Sequence, residues 1–210
     1  MANDFGAQSY YAATAHAFER GPALEGEIET DVVVIGGGYT GLHAALNAAE
    51  RGYKVVLLEA ERIGWGASGR NGGQMIPGWR KGAAELARRY GESHAKTLFA
   101  LALEARTLTL EQIAKHNIAC DLQTSGHLTL AAKPSDLLWM REEADTLART
   151  MNYPNARVLS TAEARAKVSS DGFHGALLDE GGGHLHPLNY ALGLAEAARK
   201  APSIERKKIC

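Results

Sequence analysis

Cysteine is scarce in this 210-residue chain: only Cys120 and Cys210 occur, with no paired spacing. That fits a reduced, cytoplasmic protein better than a disulfide-stapled secreted one. No run reaches the ~18 consecutive apolar residues needed to span a bilayer. Residues 1–21 lack a basic start and a continuous apolar stretch, so they do not read as a signal peptide. An excess of one charge is missing too. Lys and Arg number 23 against 24 Asp and Glu, scattered along the chain, which leaves no basic stripe for a nucleic-acid partner. Internal repeats and low-complexity tracts are absent. What remains is 45% apolar and 22% charged, the balance of a chain able to bury a core.

Glycine is the residue in excess, 23 in all, above the usual ~7%, and it clusters between Gly36 and Gly82. Asp31 to Ile35 (DVVVI) is a β-branched run bounded by glycine and reads as a parallel strand buried on both faces. Leu42, Ala45, Leu46 and Ala49 recur at helical spacing from Tyr39 to Arg51, and Gly52 follows as a C-cap. Lys54 to Leu58 (KVVLL) repeats the strand signature, so residues 31–59 have the size of one βαβ unit. Ile63 to Gly82 reads as an ordered loop wrapped on a ligand. Ala83 to Asn117 predicts two helices broken near Gly91. Beyond that the style changes, with strands at 126–131 and 175–179, a helix at 135–151, a capping box formed by Ser160 and Glu163, and a proline-started helix at 187–200.

The chemistry sits in Gly36-Gly37-Gly38-Tyr39-Thr40-Gly41, a G-x-G-x-x-G placed directly after a strand and opening a helix. Gly36 permits the tight turn, Gly38 lets a pyrophosphate reach the backbone, and Gly41 lets helix and strand pack closely. The helix N-terminus offers free amides and partial positive charge to phosphates. Glu59 ends the second strand, where a carboxylate accepts hydrogen bonds from ribose hydroxyls and repels the extra phosphate of NADP. Glycines that merely punctuate a turn would not place strand, helix, second strand and acid in register. The chain then enters Gly64-Trp65-Gly66-Ala67-Ser68-Gly69-Arg70-Asn71-Gly72-Gly73-Gln74 in place of another regular βα unit. Such a loop can lay amides along a large flat ring system, which favours FAD over NAD.

Ser9-Tyr10-Tyr11, VVVIGGGYTGL, LLEAERIG, GASGRNGGQ, Gly175 to Asp179 and Gly182 to Asn189 together resemble the D-amino-acid-oxidase-type FAD oxidoreductases, from about Ser9 to Lys200. The resemblance implies FAD held by Gly36, Gly38, Tyr39, Thr40, Gly41, Glu59, Ala60 and Arg62. It places Gly66, Ala67, Ser68, Arg70, Asn71, Gly72, Gly73 and Gln74 near the pyrophosphate and isoalloxazine. It also implies oxidation of a C–N bond in a small amine, such as gamma-glutamylputrescine, by hydride transfer to flavin N5. No protein nucleophile is needed, since the cofactor carries the chemistry.

His184 and His186, two apart, read either as metal ligands or as the approach to the proline-started helix; with no third ligand at a suitable spacing, the helix approach is the better reading. Trp65 and Trp79 flank the glycine loop, to stack near the flavin, shape a substrate mouth or pack. Arg88-Arg89 and residues 206–208 read as solvated surface.

The expected fold is α/β (α+β overall): a Rossmann-like FAD-binding unit with part of a mixed-sheet substrate domain. Residues 1–30 form an extension, 31–118 the FAD-binding segment, 119–183 the partial substrate domain, 184–200 a helix returning to the FAD domain, and 201–210 an atypical tail. Two parallel strands alone do not make a stable doubly wound sheet, and the charged tail APSIERKKIC is not expected to supply a third. The expectation is a truncated form, or a short protein completed by a partner subunit. Two functions follow: an amine-oxidising flavoenzyme, or an inactive fragment that at most binds the ADP part of FAD.

Overall fold

The computed structural model describes residues 9–201 and the backbone of 204–209. The chain begins with α1 (Tyr10–Thr14), β1 (Val32–Ile35), α2 (Tyr39–Glu50), β2 (Val55–Leu58), a 3-10 turn (Ala67–Gly69) and β3 (Gln74–Met75). It continues through α3 (Ala83–Tyr90), α4 (Glu92–Lys115), β4 (His127–Leu130), α5 (Asp136–Arg149), β5 (Ala156–Leu159) and α6 (Thr161–Val168). It closes with β6 (Ala176–Asp179), β7 (Gly183–His184), α7 (Pro187–Lys200) and β8 (Ile204–Ile209). These elements form two compact units.

The first unit takes the described residues of Met1–Gly73, Glu111–Leu122 and Leu185–Cys210. β1 and β2 pair in parallel from Val32↔Val55 to Ile35↔Leu58. Leu42, Ala45, Leu46 and Ala49 are fully buried on α2, and Ala191, Leu194, Ala195 and Ala198 on α7. These two stripes, each spaced three and four apart, meet in one core with Val55, Leu57, Ile63, Ile113 and Ile118. Each fully buried leucine there contributes about 1.5–3 kcal/mol.

Two expectations are corrected in this unit. The tail does supply a third strand: β8 lies parallel to β2, in the order β1-β2-β8, with an irregular register. An open strand edge is satisfied by main-chain groups that every residue but proline carries, so a charged sequence can complete the ladder. And β1 is not buried on both faces. Val33 is 55% and Ile35 86% exposed, while Val32 and Val34 pack against the core. The sheet ends at β1, and no layer covers that outer face among the described residues.

The N-terminal extension also carries structure. Ser9 caps α1, its Oγ accepting from the Ala12 amide at 3.1 Å. The chain after α1 is tied to α7: the His16 amide donates to Asn189 Oδ1 at 2.8 Å, and the Arg199 guanidinium donates to the Glu19 carbonyl.

The second unit takes Gln74–Leu110 and Gln123–His184. Its sheet is antiparallel in the order β4-β6-β5, and β3 pairs with β7. The helices of 83–110 belong to this unit and not to the nucleotide-binding segment to which the pattern assigned them. Ala83, Leu86, Ala95 and Phe99 share a core with Met140, Leu147, Tyr153, Ala156 and Leu177. Glu143 reinforces this by accepting from the Ala83 and Ala84 amides at 2.5 and 2.9 Å, capping α3 from another helix. The capping box at α6 forms as expected, with the Ser160 amide donating to Glu163 Oε2 and the Glu163 amide to Ser160 Oγ. The Ser160 amide first, then its hydroxyl and Arg157, hold the Glu163 carboxyl down to about 2. Buried Asp179 accepts from the Tyr153 hydroxyl at 2.6 Å and the Gly181 amide at 2.9 Å. Burial, then this carboxylate, raises the Tyr153 pKa.

Candidate functional site

The site starts where β1 turns into α2. Gly36 has φ +106°, and its amide extends the ladder to the Leu58 carbonyl at 2.7 Å. A Cβ on Gly41 would stand 2.0 Å from the Gly36 carbonyl oxygen, so only glycine lets the helix start this close to the strand. Gly38 is the N-cap of α2 and has no side chain to cap it. The Tyr39 amide donates to Ser68 Oγ at 3.0 Å, while the N-cap residue itself makes no side-chain cap. A helix start whose own N-cap residue supplies no side-chain cap, beside a serine hydroxyl, is suited to a pyrophosphate.

Glu59 lies against this turn. Its Oε2 accepts from the Gly37 amide at 2.6 Å and its Oε1 from the Glu61 amide at 2.9 Å. Two backbone donors fix the carboxylate, and each oxygen keeps lone-pair capacity for ribose hydroxyls. Ala60 is exposed beside it. The guanidiniums of Arg62 and Arg70 both lie over the Trp65 ring, at 4.7 and 4.5 Å from its centroid. Trp65 is therefore held by two cations in the same loop, which accounts for an aromatic at this position.

The loop itself is built by its own polar groups. Asn71 Nδ2 donates to the Ala67 and Ser68 carbonyls, and Asn71 Oδ1 accepts from the Gly73 amide at 2.8 Å. Asn71 is thus a shaping residue for the 3-10 turn. Gly66, Ala67 and Gly72 are exposed on this loop. Gly73 exchanges a main-chain bond with Leu185, whose amide donates to the Gly73 carbonyl at 2.9 Å. Of the residues expected at the site, Gly36, Gly38, Tyr39, Thr40, Gly41, Glu59, Ala60, Arg62, Gly66, Ala67, Ser68, Arg70, Asn71, Gly72 and Gly73 all fall in the first unit. Gln74 opens the second, where its amide faces His127 Nε2 at 3.5 Å.

Sequence reasoning missed how the start of α7 is secured. His186 is its N-cap: Nδ1 accepts from the Asn189 amide at 3.1 Å, so Nε2 carries the proton and donates to Thr14 Oγ1 at 3.0 Å. Both ring nitrogens are engaged within the fold. Tyr39 reaches the same corner, its hydroxyl donating to the Pro187 carbonyl at 2.9 Å, and burial raises its pKa. The signal in the sequence was a histidine directly before a helix-starting proline. Cys120 lies buried in the same unit, its thiol pushed up to about 11 by burial first and then Asp121, so it stays a protonated packing residue.

Burial lowers the pKa of both His43 and His186, with Asp121 opposing and His16 reinforcing the shift at His186. The unfolded chain therefore takes up these protons first. Stability is full above the unfolded value of about 6.5 and falls as pH drops from there toward the folded values. Urea midpoints should accordingly be lower at about pH 5.5 than at about pH 7.5. His186→Asn, which keeps a capping acceptor, should flatten that difference; equal midpoints for the wild type at both pH values would contradict the assignment.

A strand, a glycine turn, a helix start at a glycine N-cap and an anchored carboxylate define a dinucleotide-binding βαβ unit, continued by a polar glycine loop. The chain belongs to the FAD dependent oxidoreductase (DAO) family, which it matches over residues 31–202. It is 41% identical over 191 residues to gamma-glutamylputrescine oxidoreductase of Escherichia coli, covering 91% of this chain and 44% of that protein. In fold it is similar to glycine oxidase from Geobacillus kaustophilus, with a TM-score of 0.68 and 22% identity over 83% of this chain and 45% of that one. L-amino acid deaminase from Proteus vulgaris gives 0.67 and 24%, covering 90% and 41%. The chain thus spans less than half the length of the proteins it matches. No helix among the described residues is long and apolar enough to cross a membrane.

Proposed function

We propose that this chain binds FAD and serves the oxidation of a C–N bond in a small amine, gamma-glutamylputrescine or a similar omega-amine. The observation that carries the reading is the anchored Glu59 carboxylate beside the glycine N-cap of α2, in a chain 41% identical to gamma-glutamylputrescine oxidoreductase. The Gly36 to Gly41 turn approaches the pyrophosphate through its amides, and Ser68 offers a hydroxyl beside them. Glu59 accepts from the ribose, while Ala60 and Arg62 border the adenosine end. Gly66, Ala67, Arg70, Asn71, Gly72 and Gly73 form the wall that leads toward the isoalloxazine. When bound, FAD supplies a hydride acceptor at flavin N5, and the protein's part is to hold and orient. A cytoplasmic setting belongs to this reading, supported by the two cysteines without paired spacing.

The second reading is a fragment that grips only the ADP end without oxidising anything, and coverage of 44% of the relative favours weighing it. Purification separates the two. A yellow protein bleached by gamma-glutamylputrescine under anaerobic conditions supports the first, and a yellow or FAD-titratable protein that is not bleached supports the second. A colourless chain that does not quench FAD fluorescence sinks both. Glu59→Gln should weaken FAD binding roughly tenfold, the worth of one charge-assisted hydrogen bond, and lower the thermal midpoint as well, because the amide nitrogen of Gln cannot accept from one of the two backbone amides that hold Glu59.

A further inference from the structure

The first unit holds a cavity of about 200 Å³ between the segment after α1, the loop after Glu59 and α7. Gly36, Gly38, Glu59 and Ser68, which form the dinucleotide turn and its flank, lie outside its lining. The lining is of two kinds. Ile63 is buried, and Phe18, Leu188 and Leu192 are half-buried, which gives the cavity an apolar inner side. Arg20 and Arg70 are exposed and Arg62 is half-buried, so three guanidiniums mark its more open side. Glu61 is the only carboxylate among the described residues that line it. Arg62 and Arg70 stand over one ring, that of Trp65, at 4.7 and 4.5 Å from its centroid. Stacking engages the flat face of a guanidinium and not the N–H edge, and the edge is what forks onto an oxyanion. Two like charges held at one ring also repel, and an anion bound there offsets that repulsion.

We propose that this cavity binds a small organic carboxylate with an apolar body, at a site separate from the dinucleotide cradle. The carboxylate meets the arginine side, and the hydrocarbon lies against Phe18, Ile63, Leu188 and Leu192. The mixed lining selects this class, since sites for small molecules combine an apolar wall with a few placed polar groups. An inorganic oxyanion leaves the apolar side wet, and a neutral molecule of the same shape gains nothing from the three cations. Arg62 and Arg70 belong to the loop that borders the dinucleotide, so Arg20, on the N-terminal arm, is the residue that probes this site alone.

The test titrates the full chain with hexanoate, hexanamide and inorganic phosphate, following the heat of binding and the Trp65 indole N–H signal in NMR spectra. Hexanoate should bind and shift that signal, with hexanamide and phosphate each at least tenfold weaker. Arg20→Gln, at an exposed position, should weaken hexanoate about tenfold, the worth of one charge-assisted hydrogen bond. It should leave the circular dichroism and the FAD affinity unchanged. No binding of hexanoate, hexanamide or phosphate binding as tightly as hexanoate, or indifference to Arg20→Gln would each overturn the proposal. So would displacement of hexanoate by FAD, which would put the cavity inside the dinucleotide site. FAD binding is measured on the same chain without hexanoate, so its failure is not confused with failure of this site.

Discussion

Gly41→Ala should destabilise the first unit by about 3 kcal/mol or more, an effect at the upper end for a single added methyl. The new Cβ would sit 2.0 Å from the Gly36 carbonyl oxygen and 3.2 Å from Val34 Cγ1. The nearest neighbour is backbone, and that backbone is committed: the Gly36 amide bonds to Leu58 while α2 is packed by Leu42, Ala45 and Leu46. Relief requires moving the helix off the strand, which opens the core and displaces the α2 amides from Ser68. Gly66→Ala is the matched control, because nothing lies within 4 Å of its Cβ position and its cost should stay within about 0.5 kcal/mol. Urea unfolding followed by circular dichroism reads the difference; a Gly41→Ala loss below about 1 kcal/mol would show that strand and helix are not in the contact described.

Gly73→Ala carries two penalties at once. Its φ is +66°, a left-handed conformation that costs an L-residue roughly 1–2 kcal/mol, and its Cβ would stand 2.0 Å from the Leu185 carbonyl oxygen. That carbonyl cannot retreat freely, since Leu185 donates to the Gly73 carbonyl and leads directly into α7. Gly52→Ala separates the two terms, for Gly52 has φ +91° with open space around it and should show the conformational cost alone, about 1 kcal/mol. Gly73→Ala should exceed Gly52→Ala by about 2 kcal/mol or more in urea denaturation and lower FAD affinity, because Asn71 holds the loop through the Gly73 amide. Equal losses in the two variants would mean that the loop can move away from Leu185.

The βαβ unit was legible because its signals are local. DVVVI, the glycine turn and the spacing of Leu42, Ala45, Leu46 and Ala49 lie within a few residues of one another, and the structure realises them as β1, α2 and β2. The capping box at Ser160 was legible for the same reason. Less so were β3, β5 and β7, short strands whose existence depends on antiparallel partners far away in sequence. β8 was misread outright, because its charged residues hide a ladder made by the main chain against β2. The role of Asn71 was also out of reach: read as a cofactor neighbour by resemblance, it shapes the loop through three hydrogen bonds that only coordinates reveal.

By itself the sequence determined that a glycine turn follows a strand, that a carboxylate stands at the end of the next strand, and that a polar glycine loop comes after. These depend on backbone freedom and short-range periodicity, which composition along the chain records directly. Only the tertiary structure decided that Glu59 is clamped by two amides, that His186 joins the N-terminal arm to α7, and that Val33 and Ile35 face outward from an open edge. Those facts depend on which distant segments meet, and an apolar residue in a strand reads the same whether a layer covers it or not.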